Sequence, residues 1–297
     1  MLFDRQKNLL ALLYSLGGEA SNLDFQKLLF LYCQEQRTPS YEFVPYRFGG
    51  FSFTSYADRR KLIERGLLVD DDKCWRLTAK GKTAVGPMGD AGIKMAGFTK
   101  RHAKLRGDLL VAQAYRLYPY YATRSEIAGR LFATDEAALA VIAEHRPARA
   151  KPGVSTIGYE GCNLEGYLNR LLQNGVTLLC DVRRNPLSRK YGFSKRALAS
   201  GCEGVGIRYE HLPELGIASE ERYGLNTQAD YDALFAVYTR EALPKQQASL
   251  ETIRAWVNEG ERVALTCFEH LPHQCHRHCV ANALTTKYGK EFAPIHL

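Results

Sequence analysis

The sequence predicts an α/β protein: a mostly parallel sheet with helices on both faces in the C-terminal half, preceded by a winged-helix-like α+β domain and a helical connector. Three observations predict it. From Val154 onward short apolar runs alternate with helical stretches, the pattern of strands buried on both faces. The first 85 residues read helix, helix, helix, hairpin. And 297 residues exceed one comfortable core, since domains hold roughly 100–200 residues. The expected divisions are 1–85, 86–150 and 151–297.

At the N-terminus, Asp4 to Leu16 places Leu9, Leu10, Leu12, Leu13 and Leu16 at helical spacing, and Gly17-Gly18 stops it. Asp24 to Gln36 buries Phe25, Leu28, Leu29 and Tyr32 on one face and halts at Thr38-Pro39. VPYRFGGFS reads as a Gly-rich turn, and Phe53 to Arg65 as a third helix. Two strand candidates follow, Leu67–Val69 and Trp75–Thr78, around Asp70-Asp71-Asp72. In a winged helix the third helix enters the major groove and the hairpin touches backbone, which makes Arg59, Arg60, Lys61 and Lys73 candidate DNA contacts. The three aspartates at the tip oppose phosphate, and docking to protein is the competing reading.

GPMGDAG (86–92) is a linker composition, and Lys94 to Leu131 resumes helical periodicity. YPYYATRSE (118–126) gathers tyrosines with Arg124, either as buried packing or as a platform for unpaired bases. HRPARAKPG (145–153) is a second linker. Beyond it VSTIGYEG, VTLLCDVRR, IRYEHLPE, RVALTCFE and EFAPIHL read as strands, and Leu164–Gln173, Ser194–Ala199, Tyr231–Asn258 and Gln274–Tyr288 as helices. Neither GxGxxG nor a P-loop follows the first strand, so a dinucleotide or nucleoside triphosphate site is not supported.

Composition narrows the class. With 45% hydrophobic and 24% charged residues the chain is ordinary for a folded globular protein. No apolar run approaches a membrane span and MLFDRQKN is not a signal peptide, so a cytoplasmic protein without membrane contact is expected. The eight cysteines lack a secreted scaffold's dense spacing and are expected as thiols. The net charge of +8 is uneven: residues 1–150 hold 23 Lys and Arg against 16 Asp and Glu, and residues 151–297 hold 17 against 16. The basic excess of the first half suits a nucleic-acid partner, expected to be DNA, and equally a solvated basic surface.

In an open parallel sheet the ligand crevice lies outside the carboxyl ends of the strands. Here the ionisable residues collect at those ends: Tyr159 and Glu160, then Asp181, Arg183 and Arg184, then His211 and Glu214, then Cys267, Glu269 and His270. Taken singly each is an ordinary loop charge; as a set they point to a site. Asp181 and Arg183 should be neighbours, and an ion pair holding the strand end is their structural reading. CFEHLPHQCHRHC packs three cysteines and four histidines into residues 267–279. Zinc at Cys267, Cys275 and Cys279 is one alternative, but the spacing fits no familiar finger, and no cofactor is expected. The preferred reading has Cys275-His276-Arg277 open a helix whose amides, with Arg277, meet an anion. A cysteine nucleophile at Cys267 or Cys275 is a third reading.

TIGYEG (156–161), DVRRNPLSRKYGFSK (181–195), HLPELGI (211–217) and CFEHLPHQCHR (267–277) resemble, in order and spacing, the bacterial and archaeal "domain of unknown function" family numbered four-eight-eight, over most of residues 154–288. LDFQKLLFLY (23–32) and FVPYRFGGFS (43–52) resemble the winged-helix-like Panacea type of accessory domain. The first resemblance implies an α/β domain whose shared polar residues are Tyr159, Glu160, Asp181, Arg183, Asn185, Pro186, Ser188, Phe193, His211, Glu214, Cys267, Glu269, Cys275, His276 and Arg277. It suggests a part in DNA repair or phage defence.

The expected activity is a DNA glycosylase-type hydrolysis of the N-glycosidic bond of a modified or damaged nucleotide. Asp181, Glu160 or Glu269 would stabilise the oxocarbenium charge and orient water. Arg183, Arg184, Arg189 and Lys190 would clamp the DNA backbone, and Tyr159, Tyr191 or Phe193 would stack on the extruded base. Asn185, Ser188, His211, Cys275, His276 and Arg277 complete the expected substrate contacts. The alternative is a winged-helix regulator governed by a nucleotide or other small anion in the same crevice.

Overall fold

A computed structural model describes residues 1–86 and 89–297. Pro87 and Met88, inside the linker read at 86–92, lie outside the described residues. The chain divides into two compact units, Met1–Arg146 and Pro147–Leu297. Residues 89–146, read from sequence as connector, cluster with the first unit.

The first unit runs α1 (Asp4–Ser15), β1 (Glu19–Ser21), α2 (Asn22–Gln34), β2 (Val44–Tyr46), β3 (Gly49–Phe51), α3 (Phe53–Glu64), β4 (Cys74–Arg76), α4 (Ala79–Val85), α5 (Gly89–Arg101), α6 (Gly107–Leu117), α7 (Ala128–Leu131) and α8 (Glu136–Glu144). Ser21 and Ser52 cap α2 and α3 by accepting the Asp24 and Ser55 N–H groups. Gly17 ends α1 with the positive φ that a side chain resists. The expected hairpin forms after α3: the Val69 N–H donates to the Arg76 carbonyl at 2.9 Å and the Thr78 N–H to the Leu67 carbonyl at 3.1 Å. β1 adds a strand to it, pairing antiparallel with β4. The Gly-rich turn is itself a short hairpin, β2 against β3. Tyr118 and Tyr121 set their ring edges on Phe30, at 5.4 and 4.7 Å, so two of the clustered tyrosines are packing residues. Lys27 is buried in this unit, with 2% of its surface exposed.

The second unit runs β5 (Gly153–Gly158), α9 (Leu164–Gln173), β6 (Leu178–Asp181), α10 (Lys195–Gly204), β7 (Arg208–His211), α11 (Gln228–Val237), α12 (Gln247–Asn258), β8 (Arg262–Cys267), α13 (Arg277–Tyr288) and β9 (Ile295–His296). The five strands are parallel, in the order β7-β6-β8-β5-β9. One face packs Leu178, Cys180, Val263 and Leu265 against Leu250 and Ile253 of α12 and Val280 and Leu284 of α13. On the other, Tyr167 of α9 donates to Thr266 Oγ1 at 2.7 Å. The long helix expected over Tyr231–Asn258 is two, because after Val237 the chain makes one wide turn over Tyr238–Ala242 and then meets Pro244, which has no N–H to continue it. The fifth strand is shorter than EFAPIHL suggested, since Lys290–Phe292 forms a 3-10 turn.

Connections leaving β6 and β8 run to opposite sides of the sheet, so the topological switch point falls between these neighbours. Beside it the end of β5 presses on the loop after β8: a Cβ on Gly158 would stand 1.9 Å from the Glu269 carbonyl oxygen. Gly158→Ala is therefore expected to cost about 3 kcal/mol by overpacking backbone against backbone. Hydrogen exchange of the β5 and β8 amides measures it; unchanged protection would show that the loop yields.

Candidate active site

A polar cavity of about 320 Å³ opens at the carboxyl ends of β5, β6 and β8. Its lining includes Tyr159, Arg183, Arg184, Asn185, Ser188, Arg189, Arg222, Cys267 and Phe268. Four guanidinium groups reach this cavity, two of them paired with carboxylates, Arg183 with Asp181 and Arg222 with Glu269; arginine forks match phosphate and carboxylate oxygens.

Arg183 is the most firmly placed of the four. Its Nε donates to Asp181 Oδ1 at 2.8 Å, Nη2 to Oδ2 at 2.5 Å, and Nη1 to the Tyr159 hydroxyl and the Phe193 carbonyl at 2.8 Å each. The Arg183 backbone N–H and the Tyr209 hydroxyl also donate to Asp181. Burial, with Asp181 alongside, pushes the Tyr209 phenol up and keeps it a donor. Burial works against the Arg183 charge, and the Asp181 carboxylate more than offsets it. Asp181 is fully buried, so the carboxylate expected to act on substrate is instead consumed in fixing Arg183. The predicted neighbour relation holds; the role of Asp181 is positioning.

Glu269 differs. It is buried, pairs with Arg222, and accepts from the Cys267 thiol at 3.5 Å, so it is bonded to two residues of the cavity wall. Burial pushes its carboxyl up to about 7, with Arg222 pulling in the opposite direction. A carboxyl that exchanges its proton near neutrality is what general acid–base chemistry requires.

The other expected residues separate into groups. Arg184, Asn185, Ser188 and Arg189 reach the cavity. Glu160 is exposed and accepts the His270 N–H at 2.9 Å. His211 bridges the Arg183 carbonyl and Lys195, and Lys190 donates to the Tyr159 carbonyl. Arg277 does not meet an anion: it is 1% exposed and spends its guanidinium on the Glu269 and His270 carbonyls, tying down the loop after β8. Phe193 is fully buried with its ring stacked on Tyr159 at 4.5 Å, so it supports that ring and has no face for a base. Phe268, 41% exposed and edge-on to Tyr159, presents an aromatic surface to the cavity instead. Neither Phe268 nor Arg222 stood out in the sequence: one is an apolar residue inside a polar run, the other a single basic residue in a loop.

In the first unit, Arg59 is turned inward, over Trp75 at 5.3 Å, donating to the Asp71 and Cys74 carbonyls. Arg60, Lys61 and Lys73 are exposed. Asp71 shapes the hairpin tip by accepting the Lys73 and Cys74 N–H groups.

Among the described residues, Cys267, Cys275 and His276 form the group that could hold a metal, their ligand atoms within 4.8 Å of one another. Cys279, included in the sequence-based set, instead faces His278 at 3.5 Å. His276 has its Nε2 against the Val182 carbonyl at 2.9 Å, which leaves Nδ1 facing Cys267. The Arg222–Glu269 ion pair lies beside this group, with the Cys267 thiol donating to Glu269. No helix among the described residues is long and apolar enough to cross a membrane.

No curated protein matches the chain. Residues 163–284, from the start of α9 into α13, match the family model described as "Domain of unknown function DUF488", and DUF488 is therefore the family to which the α/β unit is similar.

Proposed function

We propose that the protein is a DNA-acting enzyme that hydrolyses the N-glycosidic bond of a modified or damaged nucleotide, in DNA repair or phage defence in the cytoplasm. The observation that carries this reading is a cavity lined by four arginines with the buried carboxyl of Glu269 bonded to Arg222 and Cys267 of its wall, where burial pushes it up to about 7. Arg184, Arg189 and the pre-set Arg183 hold the phosphate flanking the target nucleotide. Phe268 gives the extruded base a surface to lie on. Protonated Glu269 delivers its proton to the departing base as the C–N bond breaks and positive charge builds on the sugar; water then forms the new C–O bond at the anomeric carbon and returns a proton to the Glu269 carboxylate. The first unit, read as a winged-helix-like accessory domain of the Panacea type, brings Arg60, Lys61 and Lys73 to the DNA backbone and adds affinity that weakens with salt.

The test is abasic-site formation on modified or phage DNA by the full chain. Glu269→Gln is expected to lower the rate about 100-fold or more. Wild-type kcat/KM is expected to fall as pH rises through about 7, as Glu269 loses its proton. No base released from any modified DNA would overturn the proposal. The regulator reading is favoured by one observation, that Asp181 is committed to Arg183 and leaves fewer carboxyl groups than chemistry could use. It requires sequence-specific DNA binding by the full chain that shifts when a nucleotide is added, with no bond broken.

A further inference from the structure

The first unit contains a second cavity, of about 450 Å³, and its wall is unlike that of the polar site. One part of the lining is aromatic, where Tyr46 stacks on Phe51 at 4.8 Å and Phe51 lies 5.0 Å from Tyr56; Asn22, Gln26 and Asp108 make the rest partly polar. Into this wall the sequence places Lys27, 2% exposed. Its Nζ donates to the Gly50 carbonyl at 2.8 Å, its one partner among the described residues, although an ammonium has three N–H groups to place.

The local sequence builds this arrangement. Gly50 lies so close to Phe30 that a Cβ there would stand 2.8 Å from its ring, so β3 can approach α2 and offer its carbonyl to Lys27 only as glycine. The carboxylates at hand are already paired. Asp108, on the cavity wall, holds Arg130 through both oxygens, at 2.6 and 2.9 Å, and Glu126 faces Arg47 at 3.6 Å. A buried cation with no counter-ion is costly, and burial alone pulls the Lys27 amine down to about 7. A ligand carrying an anionic group would restore the charge and satisfy the remaining donors; a flat apolar body would lie against the aromatic part of the wall.

We propose that this cavity binds a planar aromatic carboxylate, its rings against Tyr46, Phe51 and Tyr56 and its carboxylate on Lys27 Nζ. The cavity volume lies within the range that encloses small ligands. The preference for an anion comes from Lys27, since Arg47 and Arg130 at the wall are already paired with Glu126 and Asp108. This inference is independent of the activity proposed for the second unit.

The test uses the full chain, 2-naphthoate and its uncharged analogue 2-naphthamide, in calorimetric titrations at pH 8. Naphthoate is expected to bind about 10-fold or more tightly than the amide, the discrimination of a charge-assisted hydrogen bond. In Lys27→Met the two should bind equally. In two buffers of different ionisation enthalpy, naphthoate binding by the wild type should take up close to one proton, and binding by Lys27→Met none. If the variant does not fold, the wild type decides alone: naphthoate affinity should be flat below pH 7 and fall above it, while amide affinity stays constant. The other ionisable groups on the cavity are the Tyr46 and Tyr56 phenols, the Asp108 carboxylate and the Arg47 and Arg130 guanidiniums, types that ordinarily titrate outside pH 6.5–9. No naphthoate binding at millimolar concentration, an equal affinity for the amide in the wild type, or a preference that survives in Lys27→Met overturns the proposal.

Discussion

Asp181→Asn is expected to cost the second unit about 3–5 kcal/mol, the penalty for leaving a buried charge without its partner. The substitution barely changes shape, so nearly all of the loss is electrostatic. Arg183, 5% exposed, would lose its counter-ion, and the acceptors left to it, the Tyr159 hydroxyl, the Phe193 carbonyl and one amide oxygen, carry no charge. Urea unfolding measures the effect. The double variant Asp181→Asn with Arg183→Met should recover most of it, because the cost resides in the orphaned cation rather than in the missing carboxylate. An Asp181→Asn protein as stable as the wild type would mean that solvent reaches Arg183 and that the pair is not structural. The same substitution frees the Arg183 side chain, so anion affinity in the cavity should fall even where the fold is retained.

The second large effect concerns pH. Burial weakens the hold of Lys27 on its proton, moving the folded-state value from 10.5 down to about 7. Between those values the unfolded chain holds a proton that the folded chain does not, so stability rises with pH across the window. The slope approaches about 1.4 kcal/mol per pH unit. Below pH 7 both states hold the proton, and the first unit there carries the full cost of a buried charge. Lys27→Met should remove the slope and leave the first unit more stable than the wild type at neutral pH. Thermal unfolding of both proteins at a series of pH values from 6 to 10 tests this. Parallel curves for the two would show that Lys27 is solvated in the folded state.

Much of the second unit was legible because its strands are continuous apolar runs and its polar residues collect where those runs end. Asp181 and Arg183 could be paired from sequence alone, being two apart at a strand end with an intervening buried Val182. What the pairing does to function was not legible. An isolated carboxylate looks like a catalyst until its oxygens are seen to be fully engaged. Glu269 could not be distinguished from Asp181 by sequence, and only the difference in partners separates them. The Cys275-His276-Arg277 run misled because helix termini attract anions in general, whereas this Arg277 is needed to satisfy two loop carbonyls. β1, β2 and β3 escaped notice for a different reason: three-residue strands are too short for alternation to register. The break between α11 and α12 lay in Pro244, a residue visible in the sequence but outweighed there by the apolar periodicity on either side.

The strand order also sets a timetable for synthesis. β8, the third of five across the sheet, pairs with β6 on one side and β5 on the other, and is the fourth to leave the ribosome. Until Cys267 has emerged, β5 has neither of its neighbours and β6 has only β7, with their apolar edges open to other chains. The first unit, complete at Arg146, has no such wait. Nascent chains stalled after α12 should therefore carry a finished first unit and an open, aggregation-prone second one that chaperones must shelter until β8 inserts.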